Sequence, residues 1–190
     1  MIVQRNNNNM NNKVSHLVFD TNIFLKGLEL NLVLGTIYTT PMIIEEIEVK
    51  RYKDKNRNIL NRIHVALDNK KLIIKSPLEK YSKVVERKAK KTGDFKALSE
   101  ADKNLIALAI ELIDTKDQNV ILFSDDYSIE NVCSELNVPY SPLYKEGIDT
   151  KIIWEVYCSF CQKTFKAEDL KKKCEICGSQ LRRRPKSKEL

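Results

Sequence analysis

The chain lacks any apolar run that approaches the roughly 20 residues a helix needs to cross a bilayer. It also lacks the features of a secretory signal peptide, because residues 1–13 are polar and asparagine-rich and no apolar stretch follows a basic start. We therefore expect a cytoplasmic protein without a membrane-spanning segment. We expect residues 1–13 to form a disordered leader.

Histidine is scarce, since the sequence holds only two. His16 lies in an apolar, strand-like segment and His64 lies in a helical pattern, so we expect both to be structural. Histidine is the side chain most often used for general acid–base catalysis near neutral pH. Its scarcity argues against chemistry in which a pair of histidines moves protons.

Basic charge exceeds acidic charge in this sequence. Lysine and arginine number 33 against 26 aspartates and glutamates, which gives a formal charge of +7 and a pI near 9.1. Hydrophobic residues make up 42% of the 190-residue chain, enough for one packed domain and a small appendage. The basic balance favours a polyanionic partner, either nucleic acid or an anionic membrane surface, although a lysine-rich protein without such a partner would have the same composition.

Short β-rich runs alternate with longer helical patterns over residues 14–143. The predicted strands are 16–19, 36–39, 72–75, 120–123 and 139–140, and the predicted helices lie near 22–29, 41–51, 56–69, 78–92, 100–115 and 128–137. Strands separated by helices predict an α/β fold, with a parallel sheet and helices on both of its faces. In such a sheet the ligand site lies beyond the carboxyl ends of the strands.

Acidic residues fall where these strands end or where helices begin. Asp20 closes the first strand, and Glu46 lies in the helix after the second. Asp102 opens a long apolar helix, and Asp125 and Asp126 follow the fourth strand. Each acid alone has an ordinary explanation, because Asp and Glu cap helices, favour helix N-termini and end strands in turns. Gathered at one edge of the sheet, they predict an Mg²⁺ or Mn²⁺ site and metal-dependent phosphodiester chemistry.

The acidic segments resemble the motifs of PIN-domain ribonucleases. The resemblance covers residues 14–143 and rests on Asp20-Thr21-Asn22, Glu46, Leu98-Ser99-x-x-Asp102 and Ser124-Asp125-Asp126-Tyr127. It implies a parallel sheet, an Mg²⁺ or Mn²⁺ site and cleavage of single-stranded RNA. It also implies catalytic roles for Asp20, Glu46, Asp102 and Asp126, with the three aspartates as metal ligands and Asp125 as the competitor for the last position. Ser124 stands where the family often has threonine, and it keeps the hydroxyl.

The resemblance also bears on how the RNA would be cut. Attack by water under the direction of a divalent ion would leave a 5′-phosphate and a 3′-hydroxyl. The alternative, attack by the RNA 2′-hydroxyl, normally needs histidine as acid and base, which His16 and His64 do not supply. The sequence leaves open whether one ion or two would act.

Two cysteine pairs near the C-terminus form the most specific motif, Cys158-x-x-Cys161 and Cys174-x-x-Cys177. Two such knuckles supply four thiolates in the tetrahedral arrangement that structural Zn²⁺ prefers. Residues 152–181 are therefore predicted to be a zinc ribbon, joined to the first domain by a linker at 144–151. A four-thiolate iron site or two redox pairs are the alternatives. Cys133 stands apart in a helical pattern and is predicted to be a small buried side chain.

Basic residues cluster in one helical segment, in the ribbon and in a predicted basic tail at 182–190. A solvated surface would explain each cluster, but together they favour contacts with RNA phosphates. The residues predicted to bind RNA are Lys88, Lys90, Lys91, Lys172, Arg182 and Arg183. The aromatic residues around the ribbon either stack on RNA bases or form the small core of the ribbon; they are Trp154, Tyr157, Phe160 and Phe165. We favour the core for Trp154 and Phe165.

The order of the two modules narrows the resemblance. A PIN-like domain followed by Trp154 and a four-cysteine ribbon is similar to the Nob-type endonucleases of ribosome biogenesis in their compact archaeal form. The run Asp126-Tyr127-Ser128-Ile129-x-Asn131-Val132 adds to the likeness. The resemblance implies maturation of the 3′ end of precursor small-subunit rRNA, with that RNA and the pre-ribosomal small subunit as partners. The alternatives are a catalytically idle RNA-binding assembly factor and a toxin-like PIN ribonuclease that attacks tRNA or mRNA.

Overall fold

The computed structural model describes residues 16–49, 56–115, 119–143 and 151–189. The predicted leader at 1–13 lies outside these residues, as does the predicted linker apart from its last residue. Within the described part of the chain, residues 16–143 build a parallel sheet with its helices, and residues 151–189 build a small antiparallel sheet.

The larger sheet has five strands in the described residues. They are β1 (His16–Phe19), β2 (Thr36–Thr39), β3 (Leu72–Ile74), β4 (Val120–Phe123) and β5 (Tyr140–Ser141). The strands lie in the order β3-β2-β1-β4-β5, and every neighbouring pair is parallel. This confirms the predicted parallel α/β sheet, and the predicted strands agree with the observed ones to within one residue at each end.

Six helices accompany the sheet in the same residues. They are α1 (Thr21–Leu25), α2 (Pro41–Glu48), α3 (Arg57–Asp68), α4 (Glu79–Thr92), α5 (Glu100–Thr115) and α6 (Tyr127–Glu135). α1 is shorter than the predicted 22–29, because Lys26 caps it and Gly27 has a left-handed φ of 71°. α2 ends before residue 51, since Val49 takes a non-helical conformation. None of these helices has the length and apolarity needed to cross a membrane.

The strand order reverses its direction between β1 and β4. Strands β1, β2 and β3 are added in turn toward one edge of the sheet, whereas β4 and β5 lie on the other side of β1. Because such crossovers are right-handed, the reversal places helices on both faces of the sheet. It also opens a crevice at the carboxyl ends of β1 and β4, where sheets of this kind bind ligands. Asp20 follows β1 directly, and Asp126 lies three residues beyond β4.

α5 is the central helix of the core. It packs against β1 and β4, and its side chains Leu105 and Leu108 are fully buried. α4 packs beside it in the antiparallel direction, since Tyr81 near the start of α4 donates a hydrogen bond to Asp114 near the end of α5. This arrangement brings the C-terminal end of α4 to the side of the domain where α5 begins and carries Asp102.

The smaller sheet is antiparallel, with the strand order β7-β6-β8. β6 (Lys151–Cys158) is central, β7 (Thr164–Phe165) pairs with one of its edges and β8 (Leu181–Glu189) pairs with the other. Val156, Leu170 and Leu181 form its small apolar core together with two of the cysteines. Residues 151–189 are therefore a short three-stranded ribbon in which the sheet and the cysteine pairs share one core.

The structure corrects the predicted basic tail at 182–190, because residues 182–189 belong to β8. Their basic side chains interact across the strand pair. The guanidinium of Arg183 lies 4.4 Å from the centre of the Trp154 ring, and that of Arg184 lies 4.4 Å from the centre of the Tyr157 ring. Arg184 also donates a 2.7 Å hydrogen bond to Glu155. Such cross-strand pairs stabilise a strand whose sequence resembles a solvated tail.

We expect Leu108→Ala to lower the free energy of unfolding by about 2–5 kcal/mol, because it leaves a cavity in the centre of the core. Leu32→Ala is the matched control, since Leu32 is 81% exposed. Its effect should stay within about 0.5 kcal/mol. Urea denaturation followed by circular dichroism measures both values, and equal effects of the two substitutions would contradict the assigned core.

Candidate active site and metal centres

One hydroxyl at the end of β4 organises the acidic edge of the sheet. Ser124 Oγ donates a 2.7 Å hydrogen bond to Asp20 Oδ2 and accepts a 3.0 Å bond from the backbone N–H of Asp126. The other oxygen of Asp20, Oδ1, accepts the backbone N–H of Thr21 at 2.6 Å. Ser124 therefore connects the carboxyl end of β1 to the turn that leads into α6, across the crevice between β1 and β4.

Asp20 is buried in this crevice, with only 5% of its surface exposed. Burial raises the pKa of Asp20 to about 6, and the hydrogen bond from Ser124 offsets only part of that effect. The negative charges of Asp102 and Asp126 raise the pKa further, so both carboxylates lie within electrostatic range of Asp20. A carboxylate that is buried among like charges is a typical ligand for a cation.

Asp102 and Asp126 also cap the helices that they open. Asp102 Oδ2 accepts the backbone N–H of Ser99 at 2.7 Å, while Ser99 Oγ accepts the backbone N–H of Asp102 at 3.1 Å. Asp126 Oδ1 accepts the backbone N–H of Ser128 at 2.6 Å as the N-cap of α6. Both acids therefore do stabilise helix N-termini, as their sequence positions indicate. Each capping bond uses only one carboxylate oxygen, so the capping role is compatible with a second role at the site.

Glu46 is connected to the site through Thr21. Thr21 Oγ1 donates a 2.5 Å hydrogen bond to Glu46 Oε2, which links the residue after Asp20 to α2. α2 packs against α1 and α5, so it stands beside the crevice. Glu46, and not its neighbour Glu45, accepts this hydrogen bond.

Asp125 has different partners from its neighbour Asp126. Its Oδ2 forms an ion pair with Lys26, the C-cap residue of α1, and its Oδ1 accepts the backbone N–H of Leu143 at 2.9 Å. These bonds hold the turn between β4 and α6 against the surrounding loops. The charge of the adjacent Asp126 is among the causes that raise the pKa of Asp20.

The carboxylates are near one another without forming a tight cluster. Among the described residues, no three carboxylates bring their oxygens within 4.8 Å of one another. Like charges hold one another apart unless a cation neutralises them. A groove of about 290 Å³ opens beside them, between α2 and the N-terminus of α5. Its walls include Met42, Glu46 and Ser99, so the groove borders both Glu46 and the turn that carries Asp102.

The structure brings the four ribbon cysteines together. The Sγ atoms of Cys158, Cys161, Cys174 and Cys177 all lie within 4.8 Å of one another. Cys158 and Cys177 are 3.3 Å apart, Cys161 and Cys174 are 3.6 Å apart, and all four are free of disulfides. Four sulfurs around one point match the donor set of a tetrahedral metal site. Cys133 is instead buried in α6, where burial raises the pKa of its thiol.

Four of the residues predicted to bind RNA have partners within the protein. Lys88 pairs with Glu135, Lys90 with Glu168, Lys172 with Asp169 and Arg183 with Asp94. Lys91 on α4 and Arg182 on β8 are exposed. Of the six residues predicted to bind RNA, four therefore form ion pairs within the protein and two are exposed on its surface. Arg183 forms its ion pair with Asp94 of the first domain.

Sequence reasoning missed Lys26 and Asp94. Lys26 neutralises Asp125, and the fully buried Asp94 accepts a 2.8 Å hydrogen bond from Arg183. The partners are separated by 99 and 89 residues along the chain. No local pattern could have identified either pair at such a separation.

Comparison with known proteins identifies the family. Residues 17–112 match the family described as the PIN domain of ribonuclease. The chain is 37% identical over 167 residues to the endoribonuclease Nob1 of Methanocaldococcus jannaschii, which covers 88% of this chain and 76% of that protein. It is 33% identical over 170 residues to the endoribonuclease Nob1 of Pyrococcus abyssi, which covers 90% of this chain and 94% of that protein. The chain belongs to the Nob1 family of PIN-domain endoribonucleases.

Two further relatives carry other names. Ribonuclease VapC1 of Thermoplasma acidophilum is 34% identical over 166 residues, which cover 87% of this chain and 76% of that protein. The 20S-pre-rRNA D-site endonuclease nob1 of Schizosaccharomyces pombe is 32% identical over 104 residues, which cover 54% of this chain and 24% of that protein. Membership of the Nob1 family makes the chain a hydrolytic endoribonuclease.

PIN ribonucleases generally use divalent metal ions, and the acidic edge of this Nob1-family chain fits such a cation. Burial and two like charges destabilise the ionised form of Asp20, and a bound cation would reverse that effect. Asn22 follows Asp20 by two residues and Thr40 directly follows β2, and within the described residues no hydrogen-bond partner is seen for the buried oxygens Asn22 Oδ1 and Thr40 Oγ1. Oxygens of this kind suit the water or ligand groups that surround a metal ion.

Without added Mg²⁺ or Mn²⁺, Asp20→Asn should stabilise the protein by up to about 3 kcal/mol at pH 7.5, because the variant has no buried charge at this position. The raised pKa of Asp20 means that the folded state holds the proton more tightly than the unfolded chain. Stability therefore falls as the pH rises from about 4 to about 6, and the deficit persists at higher pH.

The stabilisation by Asp20→Asn should vanish below about pH 4, where the carboxyl is protonated in both states. Asp68→Asn is the matched control, since it removes the same charge from the exposed end of α3. Urea denaturation at pH 7.5 and at pH 4 measures the difference. A stabilisation of equal size at both pH values would contradict the assigned environment of Asp20.

Proposed function

We propose that this protein matures the 3′ end of precursor small-subunit rRNA by metal-dependent hydrolysis of a phosphodiester bond. The observation that carries the proposal is the buried Asp20, on which the charges of Asp102 and Asp126 act. The relative from Schizosaccharomyces pombe is named as a pre-rRNA endonuclease, and the archaeal relatives are named as Nob1 endoribonucleases. The proposed substrate is precursor rRNA, and the proposed partner is the pre-ribosomal small subunit.

The proposed ligands of Mg²⁺ or Mn²⁺ are Asp20, Asp102 and Asp126. When bound, the ion activates water and neutralises charge on the phosphate. Ser124 has a positioning role, because its two hydrogen bonds fix Asp20 and the backbone of Asp126 relative to each other. Glu46, which Thr21 holds beside the site, is proposed to take the proton of the attacking water at its carboxylate.

A basic ridge on α4 supports a path for the RNA backbone. The basic ridge consists of Lys80, Lys83, Arg87 and Lys91, which recur every three or four residues on one exposed face of the helix. At 1.5 Å per residue it is about 16 Å long. Its C-terminal end lies on the side of the domain where α5 carries Asp102. An exposed row of cations that leads toward an acidic site suits the phosphates of a single strand.

The predicted RNA contacts are proposed to extend this path. Lys91 belongs to the basic ridge, and within the described residues no ion pair is seen for Lys91 or Arg182. Lys90 and Lys172 are exposed in their ion pairs and can exchange a carboxylate for a phosphate, whereas Lys88 is more buried beside Glu135. Salt should therefore weaken RNA binding mainly through the exposed positions.

The metal proposed for the ribbon is Zn²⁺, because four cysteine sulfurs lie within 4.8 Å of one another. A core of this size cannot fold on apolar burial alone, so the ion supplies part of the folding energy. Phe160, which follows Cys158 by two residues, is 79% exposed. It is proposed to stack on an unpaired base.

One observation favours a toxin-like ribonuclease as a second candidate function. A relative of nearly the same similarity as the Nob1 proteins is named ribonuclease VapC1. Both functions would use the same acids, so the site does not distinguish between them. The substrate distinguishes them, because a toxin-like enzyme would cut tRNA or mRNA while a Nob1 enzyme would cut precursor rRNA.

With Mn²⁺ and a short RNA that spans the precursor rRNA 3′ end, we expect one dominant cut that leaves a 5′-phosphate and a 3′-hydroxyl. Asp20→Asn should lower the rate by at least about 100-fold while RNA binding survives, because the charge that holds the cation is lost. Asp126→Asn should behave in the same way. Asp68→Asn is the matched control and should retain the activity, since it removes the same charge from the exposed end of α3. Denaturing gels and filter binding measure the two effects.

Three outcomes would contradict this assignment in different ways. Asp20→Asn and Asp102→Asn variants that cut like the parent would refute the acidic site. Efficient cleavage of tRNA without cleavage of precursor rRNA would favour the toxin-like function. Tight binding of precursor rRNA by the parent protein without any cut would favour an idle assembly factor.

The purified protein should contain a single zinc ion per chain, and Cys158→Ser should remove it, because one of four thiolate ligands is lost. Loss of the ion should unfold the ribbon and weaken RNA binding. Cys133→Ala is the matched control, since Cys133 lies outside the cluster. Elemental analysis measures the metal. Zinc that persists in Cys158→Ser, or iron in its place, would contradict the proposal.

A further inference from the structure

A buried polar interface fastens the ribbon to the nuclease domain. Asp94, in the turn after α4, is fully buried and accepts hydrogen bonds from Asn131 Nδ2 at 2.7 Å and from Arg183 Nη1 at 2.8 Å. Arg183 comes from β8 of the ribbon, whereas Asp94 and Asn131 come from the nuclease domain. We call these three residues the latch. A buried carboxylate that is paired with an arginine needs that arginine, because an unpaired buried charge is strongly unfavourable.

Asn131 extends the latch to β6. Its side-chain amide donates a 2.8 Å hydrogen bond to the carbonyl of Ile152 and accepts a 2.9 Å bond from the N–H of the same residue. One side chain therefore satisfies both backbone groups of a strand residue, as a neighbouring strand would. Asn131 is 1% exposed, so water does not compete for these bonds.

Gly93 allows the two parts of the chain to approach closely. It has a left-handed φ of 83°, and a Cβ at this position would lie 2.2 Å from the carbonyl oxygen of Trp154. Both the conformation and the close contact require glycine. Trp154 in turn carries the guanidinium of Arg183 over its ring. The ribbon is thus seated on the nuclease domain by polar bonds, by backbone contact and by one stacked ring.

The latch reaches the acidic site through Ser128. Arg183 Nη2 donates a 3.3 Å hydrogen bond to Ser128 Oγ, and the backbone N–H of Ser128 donates to the carboxylate of Asp126. Ser128 lies in the first turn of α6, where Asp126 is the N-cap. A ribbon arginine is therefore connected to a proposed metal ligand through a single intervening residue.

We propose that Arg183 is a positioning residue for the cleavage reaction, and that the docked ribbon holds the turn that carries Asp126. The inference rests on the proposed function of the acidic site. It changes the role that the sequence predicted for Arg183, which was contact with RNA. Arg183 is only 28% exposed, and its guanidinium is already used by Asp94, Ser128 and Trp154.

The test compares Arg183→Ala with Arg182→Ala in the full chain, on the same precursor RNA with Mn²⁺. The two substitutions remove the same charge from adjacent positions of β8, but Arg182 is exposed. Arg183→Ala should lower kcat by about 10–100-fold with little change in KM, as expected for a residue that orients a metal ligand. Arg182→Ala should leave kcat unchanged and raise KM. Arg183→Lys should recover part of the rate, since it keeps a charge for Asp94.

A second readout reports the contact of Arg183 with Trp154 at the interface. Trp154 is the only tryptophan of the chain, so all tryptophan emission comes from this one ring. Arg183→Ala should shift the emission of Trp154 to longer wavelength, because the ring loses its stacked partner and meets water. Circular dichroism should show that the helices persist. Arg182→Ala should leave the emission unchanged.

Ser128→Ala keeps the test decisive if Arg183→Ala fails to fold. It removes only the hydroxyl that accepts the bond from Arg183, while the backbone N–H still caps Asp126. It should lower kcat by about 2–5-fold on its own and should have no further effect in the Arg183→Lys background, where that bond is already lost. Effects that multiply instead would overturn the proposal.

Other outcomes would also overturn it. A rise in KM with unchanged kcat for Arg183→Ala would make Arg183 a phosphate contact. If the parent protein cuts no RNA, the proposed function fails by itself. In that case an unchanged Trp154 emission in Arg183→Ala would overturn the placement of Arg183 at the interface separately, whereas a shifted emission would support the contact with Trp154 that the proposal requires.

Discussion

Burial of a carboxylate near like charges, at the carboxyl edge of a parallel sheet, is the constraint on which the site depends. Asp20 occupies a buried crevice because Ser124 and the backbone of Thr21 donate hydrogen bonds to it, yet its pKa still rises to about 6. The caps of α5 and α6 hold Asp102 and Asp126 in place by local bonds, so helix formation opposes the tendency of these acids to separate. The folded chain thus carries a local cost in stability, which a cation bound at the proposed site would remove.

The ribbon is joined to this domain by polar groups that are satisfied in one arrangement. An apolar interface tolerates small shifts, whereas the two bonds between Asn131 and the backbone of Ile152 exist in a single register. β6 continues from Ile152 to Cys158, so the docking also sets the direction in which the cysteine cluster is presented. The position of the proposed RNA-stacking residue Phe160 relative to the acids therefore follows from contacts made far from either.

Most of the fold could be predicted because its signals are local. The strands alternate with helices whose starts and ends carry recognisable residues, and Ser99 and Asp102 form the capping pair that their spacing indicates. The errors have physical causes. α1 ends early because Gly27 turns the chain, and β8 was mistaken for a tail because arginines that pair across strands have the same composition as arginines in solvent.

The sequence by itself determined the parallel α/β fold, the placing of acids at strand ends and the gathering of four cysteine sulfurs. Each of these depends on periodicity, capping or the spacing of a few neighbouring residues. Only the tertiary structure decided that Asp126 acts on Asp20 while Lys26 engages Asp125, and that Arg183 serves an internal partner. The pairs that involve Lys26 and Arg183 are 99 and 89 residues apart, and a side chain's partner at such a distance is set by how the elements pack, which no local pattern encodes.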